Sequence, residues 1–224
     1  MLPRMLLVLA LFGAASMVEA ASFPCEKARS RIEKTLCADP ELSQLDNDLD
    51  RYYQAARMDL RGSEDCLKAD QKHWLKAVRD VCADKACLKA AYLDRLSELD
   101  ALQPGVSAIK YRTLPNRPSL VWVIPPALDK VAAPDNPKAR PLEARGNLVD
   151  EMVNGDGFVL RTPKGESYLV VTAMLLDGET SVRLPELAKD GKATYLVRGY
   201  EEKDPRGGRH YAASRCTYIY RLPH

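Results

Sequence analysis

Between about residue 31 and residue 102 the apolar positions recur every three or four residues, and beyond residue 141 they alternate in short runs, so helices are expected to precede strands. Ser30-Arg31-Ile32-Glu33 reads as a capping box and starts a helix near Arg31 that runs to about Cys37. Asp39-Pro40 joins a good N-cap to a residue suited to the first turn, and Leu42, Leu45, Leu49, Tyr52, Tyr53 and Ala56 continue at helical spacing to about residue 60. Gly62-Ser63 breaks that helix. Leu67, Gln71, Trp74, Val78 and Val81 form the next stripe, and Leu88, Tyr92, Leu96, Leu99 and Leu102 the last. The pattern predicts a small helical bundle.

At Gln103-Pro104-Gly105 the character changes. Prolines at 104, 115, 118, 125, 126, 134, 137 and 141 exclude a continuous helix, so residues 104–140 read as a connector with one apolar piece, Leu120 to Ile124. Strand-like segments follow at Leu142 to Val153, Gly157 to Arg161, Tyr168 to Met174, Ala193 to Glu201 and His210 to Leu222, with a short helical piece at Pro185 to Lys189. Three strands, a helix and two strands is the order of an OB-type barrel, and Gly146, Gly199 and Gly207-Gly208 suit its bends. The expected fold class is α+β in two domains: a disulfide-stapled helical bundle over 21–103, the connector over 104–140, and an all-β OB-like barrel with one short helix over 141–224.

The compartment follows from the first residues and the cysteines. Arg4 precedes an apolar run from Met5 to Phe12, and Val18-Glu19-Ala20 fits a signal-peptidase site before Ala21, so residues 1–20 read as a cleaved leader. That run is too short for a permanent membrane helix, and Cys25 follows Phe23-Pro24 rather than a leader, so no membrane anchor is expected. An exported, periplasmic protein of 204 residues remains, a length that suits two domains. Six cysteines in an oxidising compartment read as disulfides. Cys82 and Cys87 are too widely spaced for a zinc site, and no metal or cofactor is expected.

Six cysteines allow 15 pairings. A helix that starts near Arg31 and reaches Cys37 is roughly 10 Å long, so residues 25–30 can fold back and pair Cys25 with Cys37. Cys82 with Cys87 would then close the bend between two later helices, leaving Cys66 and Cys216 to staple the domains together. A crossed arrangement, with each early cysteine tied to a late one, satisfies the same count.

In order, the first domain carries Cys25, Ala28, Glu33, Cys37, Asp39-Pro40-Glu41-Leu42, Leu45-Asp46, Tyr52, Gln71, Trp74-Leu75, Arg79, Cys82, Cys87-Leu88, Tyr92, Arg95 and Leu99. That order and spacing, over roughly residues 23–102, resembles the N-terminal domain of the LprI-like lysozyme inhibitors. The resemblance implies a binding protein that occludes a lysozyme or related peptidoglycan hydrolase. Glu33, Asp46, Tyr52, Gln71, Trp74, Arg79, Tyr92 and Arg95 fall on motif positions. Trp74 and Tyr92, on an apolar stripe, are expected to pack inward, and Asp46 to be satisfied by an arginine.

Charge and chemistry narrow the reading further. Residues 21–104 carry net −2 and residues 105–224 net +4, which forces no nucleic-acid partner. Asp39, Glu41, Asp48 and Asp50 are read as exposed acids that would steer a basic lysozyme, and so as the candidate interface. His73, His210 and His224 are scattered, and Ser107-Ala108-Ile109-Lys110 matches a Ser-x-x-Lys motif without its companions, so no catalytic residue is assigned and no enzyme is expected. The alternative is an envelope scaffold whose β-domain holds a glycan or another protein, with Tyr195, Tyr200, Tyr211, Tyr218 and Tyr220 as stacking surfaces.

Overall fold

The computed structural model describes residues 21–104, 109, 112–151, 157–203 and 208–223. The leader, Ser107 and Lys110, the end of the first expected barrel strand, Gly207 and His224 lie outside the described residues.

Local chemistry sets the helix starts. The Ser30 hydroxyl accepts from the Glu33 amide (3.1 Å) while Glu33 accepts from the Ser30 amide (2.8 Å), and α1 runs Arg31–Ala38. Asp39 accepts from the amides of Glu41 and Leu42 with Pro40 at the first position, opening α2, Pro40–Asp59. Then α3, Glu64–Trp74, passes without a break into a single π-helical turn, Leu75–Arg79. Asp84 caps α4, Lys85–Leu99, through the Cys87 amide at 2.8 Å.

The π turn corrects the expected third stripe. In a continuous α-helix the residue one turn beyond Trp74 is Val78, whereas the wider turn, closed by the Asp80 amide on the Leu75 carbonyl (2.9 Å), inserts one residue and brings Arg79 to that face. Val78 and Val81 consequently face solvent.

The second half is one seven-stranded sheet. Its strands are β1 (Ser119–Ile124), β2 (Arg140–Asp150), β3 (Phe158–Arg161), β4 (Ser167–Val171), β5 (Tyr195–Lys203), β6 (Arg209–Tyr211) and β7 (Thr217–Arg221). The spatial order β1-β7-β5-β2-β3-β4-β6, with β6 returning to β5, closes β2, β3, β4, β6 and β5 into a five-stranded barrel. All these pairs are antiparallel except β4 with β6, and α5 (Gly178–Lys189) sits between the third and fourth barrel strands, as in an OB barrel. Gly146 permits the closure: a Cβ there would lie 2.0 Å from the Arg161 carbonyl oxygen.

Two features extend the barrel beyond the expected order. His210 to Leu222, read as one strand, is split into β6 and β7, and β7 leaves the barrel to pair with the first half of β5. The apolar piece of the proline-rich stretch is β1, paired along β7 from Ser119↔Arg221 to Ile124↔Thr217.

β1 also ties the halves together. Trp122 is buried, its indole N–H donates to Thr180 Oγ1 (3.2 Å), and Arg183 of α5 covers its ring while pairing with Asp59 of α2 (2.8 Å). Ser63 Oγ donates to the Val123 carbonyl (2.7 Å) and Tyr218 OH to the Cys66 carbonyl (2.9 Å). Three disulfides join Cys25 to Cys37, Cys82 to Cys87, and Cys66 of α3 to Cys216 beside β7. One continuous apolar core runs through both halves. Among the described residues no helix is long and apolar enough to cross a membrane.

Candidate functional site

Asp46, Leu49, Asp50 and Tyr53 stand on one face of α2, because positions three, four and seven apart share a helical face. Opposite them, α3 and its π turn present Gln71, Trp74, Leu75 and Arg79, and α4 adds Tyr92. Together with Ser22 these side chains line a depression of about 190 Å³. Five of the motif residues therefore meet at one opening: Asp46, Gln71, Trp74, Arg79 and Tyr92.

Asp46 is its centre. Its carboxylate is 6% exposed and accepts three hydrogen bonds: Tyr92 OH at 2.6 Å on one oxygen, and the Ser22 amide (2.9 Å) and hydroxyl (2.6 Å) on the other. Burial first, then the negative charge of Asp46 and the hydrogen bond to it, push the Tyr92 hydroxyl far above the ordinary tyrosine range, with Arg79 pulling the other way. Tyr92 is thus a fixed neutral donor. Its ring meets Trp74 edge-on at 5.3 Å between centroids. Arg79 pairs with Asp80 at 2.8 Å and borders the opening.

A second buried charge lies behind the site. Arg95, 2% exposed, donates from Nε to Gln71 (3.0 Å) and from its two terminal nitrogens to Glu98 (2.7 Å) and Asp70 (2.6 Å). The expected match of Asp46 with an arginine is replaced by this division: Asp46 is satisfied by hydroxyl and amide donors, and Arg95 by Asp70 and Glu98. Gln71 bridges the two clusters. Tyr52 stands apart, its hydroxyl donating to Asp100 at 2.9 Å, and Glu33 is held in the α1 capping box.

The four acids read as an interface separate. Asp39 caps α2 and pairs with Lys85 (2.8 Å), while Glu41 pairs with Lys89 (2.9 Å) and Arg112 (2.8 Å), so both clamp the start of α2 to neighbouring segments. Asp48 is corrected from exposed to buried: at 0% exposure it is held by Arg51 and Gln44. Asp50 alone of the four is both exposed and on the rim of the depression.

Most of the five tyrosines read as stacking surfaces are committed within the fold. Tyr195, Tyr211 and Tyr218 donate to the carbonyls of Leu187, Val197 and Cys66, each at 2.9 Å, and Tyr220 is buried under Arg198. Tyr200 is the most exposed of the five and lies beneath Arg215. Among the described residues no three His, Cys, Asp or Glu side chains converge as metal ligands.

No solved structure matches this chain. Lipoprotein LprI of Mycobacterium bovis, and the protein of the same name in two Mycobacterium tuberculosis strains, are each 31% identical over 90 residues. That alignment covers 38% of this chain, and the chain spans 44% of the length of those relatives. Apart from Ser22, the residues that build the depression, and the helices that carry them, fall within residues 25–104, the part of the chain that matches the family described as Lysozyme inhibitor LprI.

Proposed function

We propose that this is an exported, periplasmic protein that binds a lysozyme or related peptidoglycan hydrolase and blocks it by occlusion, using the face around the Asp46 depression. The observation that carries the reading is the convergence of five motif residues from three helices on one opening, bordered by exposed Asp50. Tyr, Trp and Arg dominate binding hot spots because they combine large contact area with directed polar groups, and Tyr53 and Arg79 line this opening, with Trp74 buried in its wall. Asp46 and Asp50 offer negative charge to a basic enzyme, which favours encounter. An inhibitor of this kind needs no reacting group, only about 800 Å² of its surface over the substrate cleft.

The test is inhibition of cell-wall lysis by lysozymes of several structural classes, using the whole mature chain, because its core and hydrogen bonds run through both halves. Tyr53→Ala with Asp50→Arg should weaken inhibition about thirtyfold, the size of a hot-spot loss, while circular dichroism stays unchanged. Raising salt should slow association, since exposed charges are screened over about 8 Å. Failure against every class at micromolar concentration rejects the reading. N-terminal sequencing of the protein recovered from the periplasm, with Ala21 first, tests the export step.

A further inference from the structure

A second and larger concavity, about 920 Å³, lies away from the motif residues, where the two halves meet. It is formed by the α2–α3 corner at Arg61–Cys66, the segment after β1 at Pro125–Lys130, and the approach to α5 at Met174–Glu179. Its volume is that of sites that hold drug-sized or short peptide ligands. The Cys66–Cys216 disulfide, Pro125, Leu175 and Leu176 give it an apolar lining, and it is partly open to solvent. The disulfide and the Ser63 and Tyr218 hydrogen bonds hold its walls before any ligand arrives, which lowers the ordering cost of binding.

Two observations say what fits there. Leu128 is 95% exposed and Met174 87%, among the most exposed large apolar side chains of the described residues, and both stand on this groove. The charges around it are also unbalanced. Asp129 and Asp177 are engaged as turn and helix caps, and Arg61 and Lys130 donate to the carbonyls of Met58 and Ala127. Asp65 and Glu179 are exposed on the groove and make no ion pair among the described residues. An apolar lining with two uncommitted carboxylates complements a ligand that is apolar and cationic together.

We propose that this groove binds a short segment of a partner protein in which apolar side chains stand next to lysine or arginine. A peptide is favoured over an enclosed small molecule because the groove is partly open to solvent and Val131, 92% exposed, stands three residues past Leu128 on the same segment. This site is independent of lysozyme inhibition, and its variants should leave inhibition unchanged.

The experiment uses the mature chain with 13C-methyl methionine, whose signals come from Met58, Met152 and Met174. Met174 lies on the groove and Met58 does not, so Met58 is an internal reference; Met174→Leu assigns the signal. Acetyl-Leu-Leu-Lys-Lys-amide should shift Met174 and leave Met58 in place, whereas acetyl-Leu-Leu-Glu-Glu-amide should not shift Met174. Asp65→Asn with Glu179→Gln should weaken the basic peptide about fivefold, the worth of two exposed ion pairs. Leu128→Ser should weaken it about tenfold by calorimetry, the worth of one buried leucine. Equal shifts from both peptides, no shift at millimolar peptide, or equally tight binding of 4-phenylbutylamine would each overturn the proposal.

Discussion

Removing the three disulfides one at a time should rank them by the length of chain each closes. Cys66–Cys216 spans 150 residues, Cys25–Cys37 spans 12 and Cys82–Cys87 spans 5. If each acts by restricting the unfolded chain, the losses are about 5, 3 and 2 kcal/mol. The loops are nearly independent, since Cys25–Cys37 lies outside the long one and Cys82–Cys87 shortens it by only a few residues. A loss of about 5 kcal/mol is a third or more of the stability of an ordinary domain. The assay is urea unfolding of Cys66→Ala/Cys216→Ala, Cys25→Ala/Cys37→Ala and Cys82→Ala/Cys87→Ala. The chain's two tryptophans report separately, Trp74 from the helices and Trp122 from β1, once each is isolated by a Phe substitution of the other. With a slope of about 2 kcal/mol/M, the first variant should unfold about 2.5 M earlier than the native protein and the third about 1 M earlier. If losing Cys82–Cys87 costs as much as losing Cys66–Cys216, chain entropy does not control these bridges and the reasoning fails.

Arg95→Ala should destabilise by about 3–5 kcal/mol, because it leaves Asp70 and Glu98 facing a void without their shared cation; Arg95→Lys should recover little, since one ammonium cannot reproduce the three-way fork. Urea midpoints of both variants check this. Gly146→Ala places a methyl group against the Arg161 carbonyl at 2.0 Å and should cost about 3 kcal/mol or more, read as lost near-ultraviolet dichroism of the barrel tyrosines. The hydrogen bond from Lys85 holds the Asp39 carboxyl below its ordinary 3.8, and those from Lys89 and Arg112 hold Glu41 below 4.5. These groups contribute stability above those ordinary values and lose it as pH falls through the lowered ones. Melting temperature should therefore drop below about pH 4, and Asp39→Asn with Glu41→Gln should flatten the drop; an unchanged acid profile would refute the assignment.

What the sequence by itself determined is what local chemistry and period can encode. The Ser30 box and the Asp39-Pro40 start act within one turn, and each appears in the structure where the residues stand. The order of three strands, a helix and two strands was legible as a barrel because strand period and turn residues are short-range signals. The motif residues were legible as a set through their spacing, but not as a place. Tertiary structure brought Asp46, Gln71, Trp74, Arg79 and Tyr92 to one opening, and it did so through a π turn that has no sequence signature of its own. That turn exchanges Val78 for Arg79 on the inner face, where Tyr92 and Asp80 interact with the guanidinium. Asp48 shows the same limit: its spacing is that of a solvated acid, and only the packing around α2 buries it. β1 went unread because an apolar run among prolines becomes a strand only when a distant partner supplies its hydrogen bonds, here across about a hundred residues from Ser119 to Arg221, and the break that separates β7 from β6 was hidden for the same reason. The large groove belongs to neither half alone. It exists because Cys66 and Cys216 meet, and contacts so far apart in the chain are set by the closing of the whole core rather than by any local pattern.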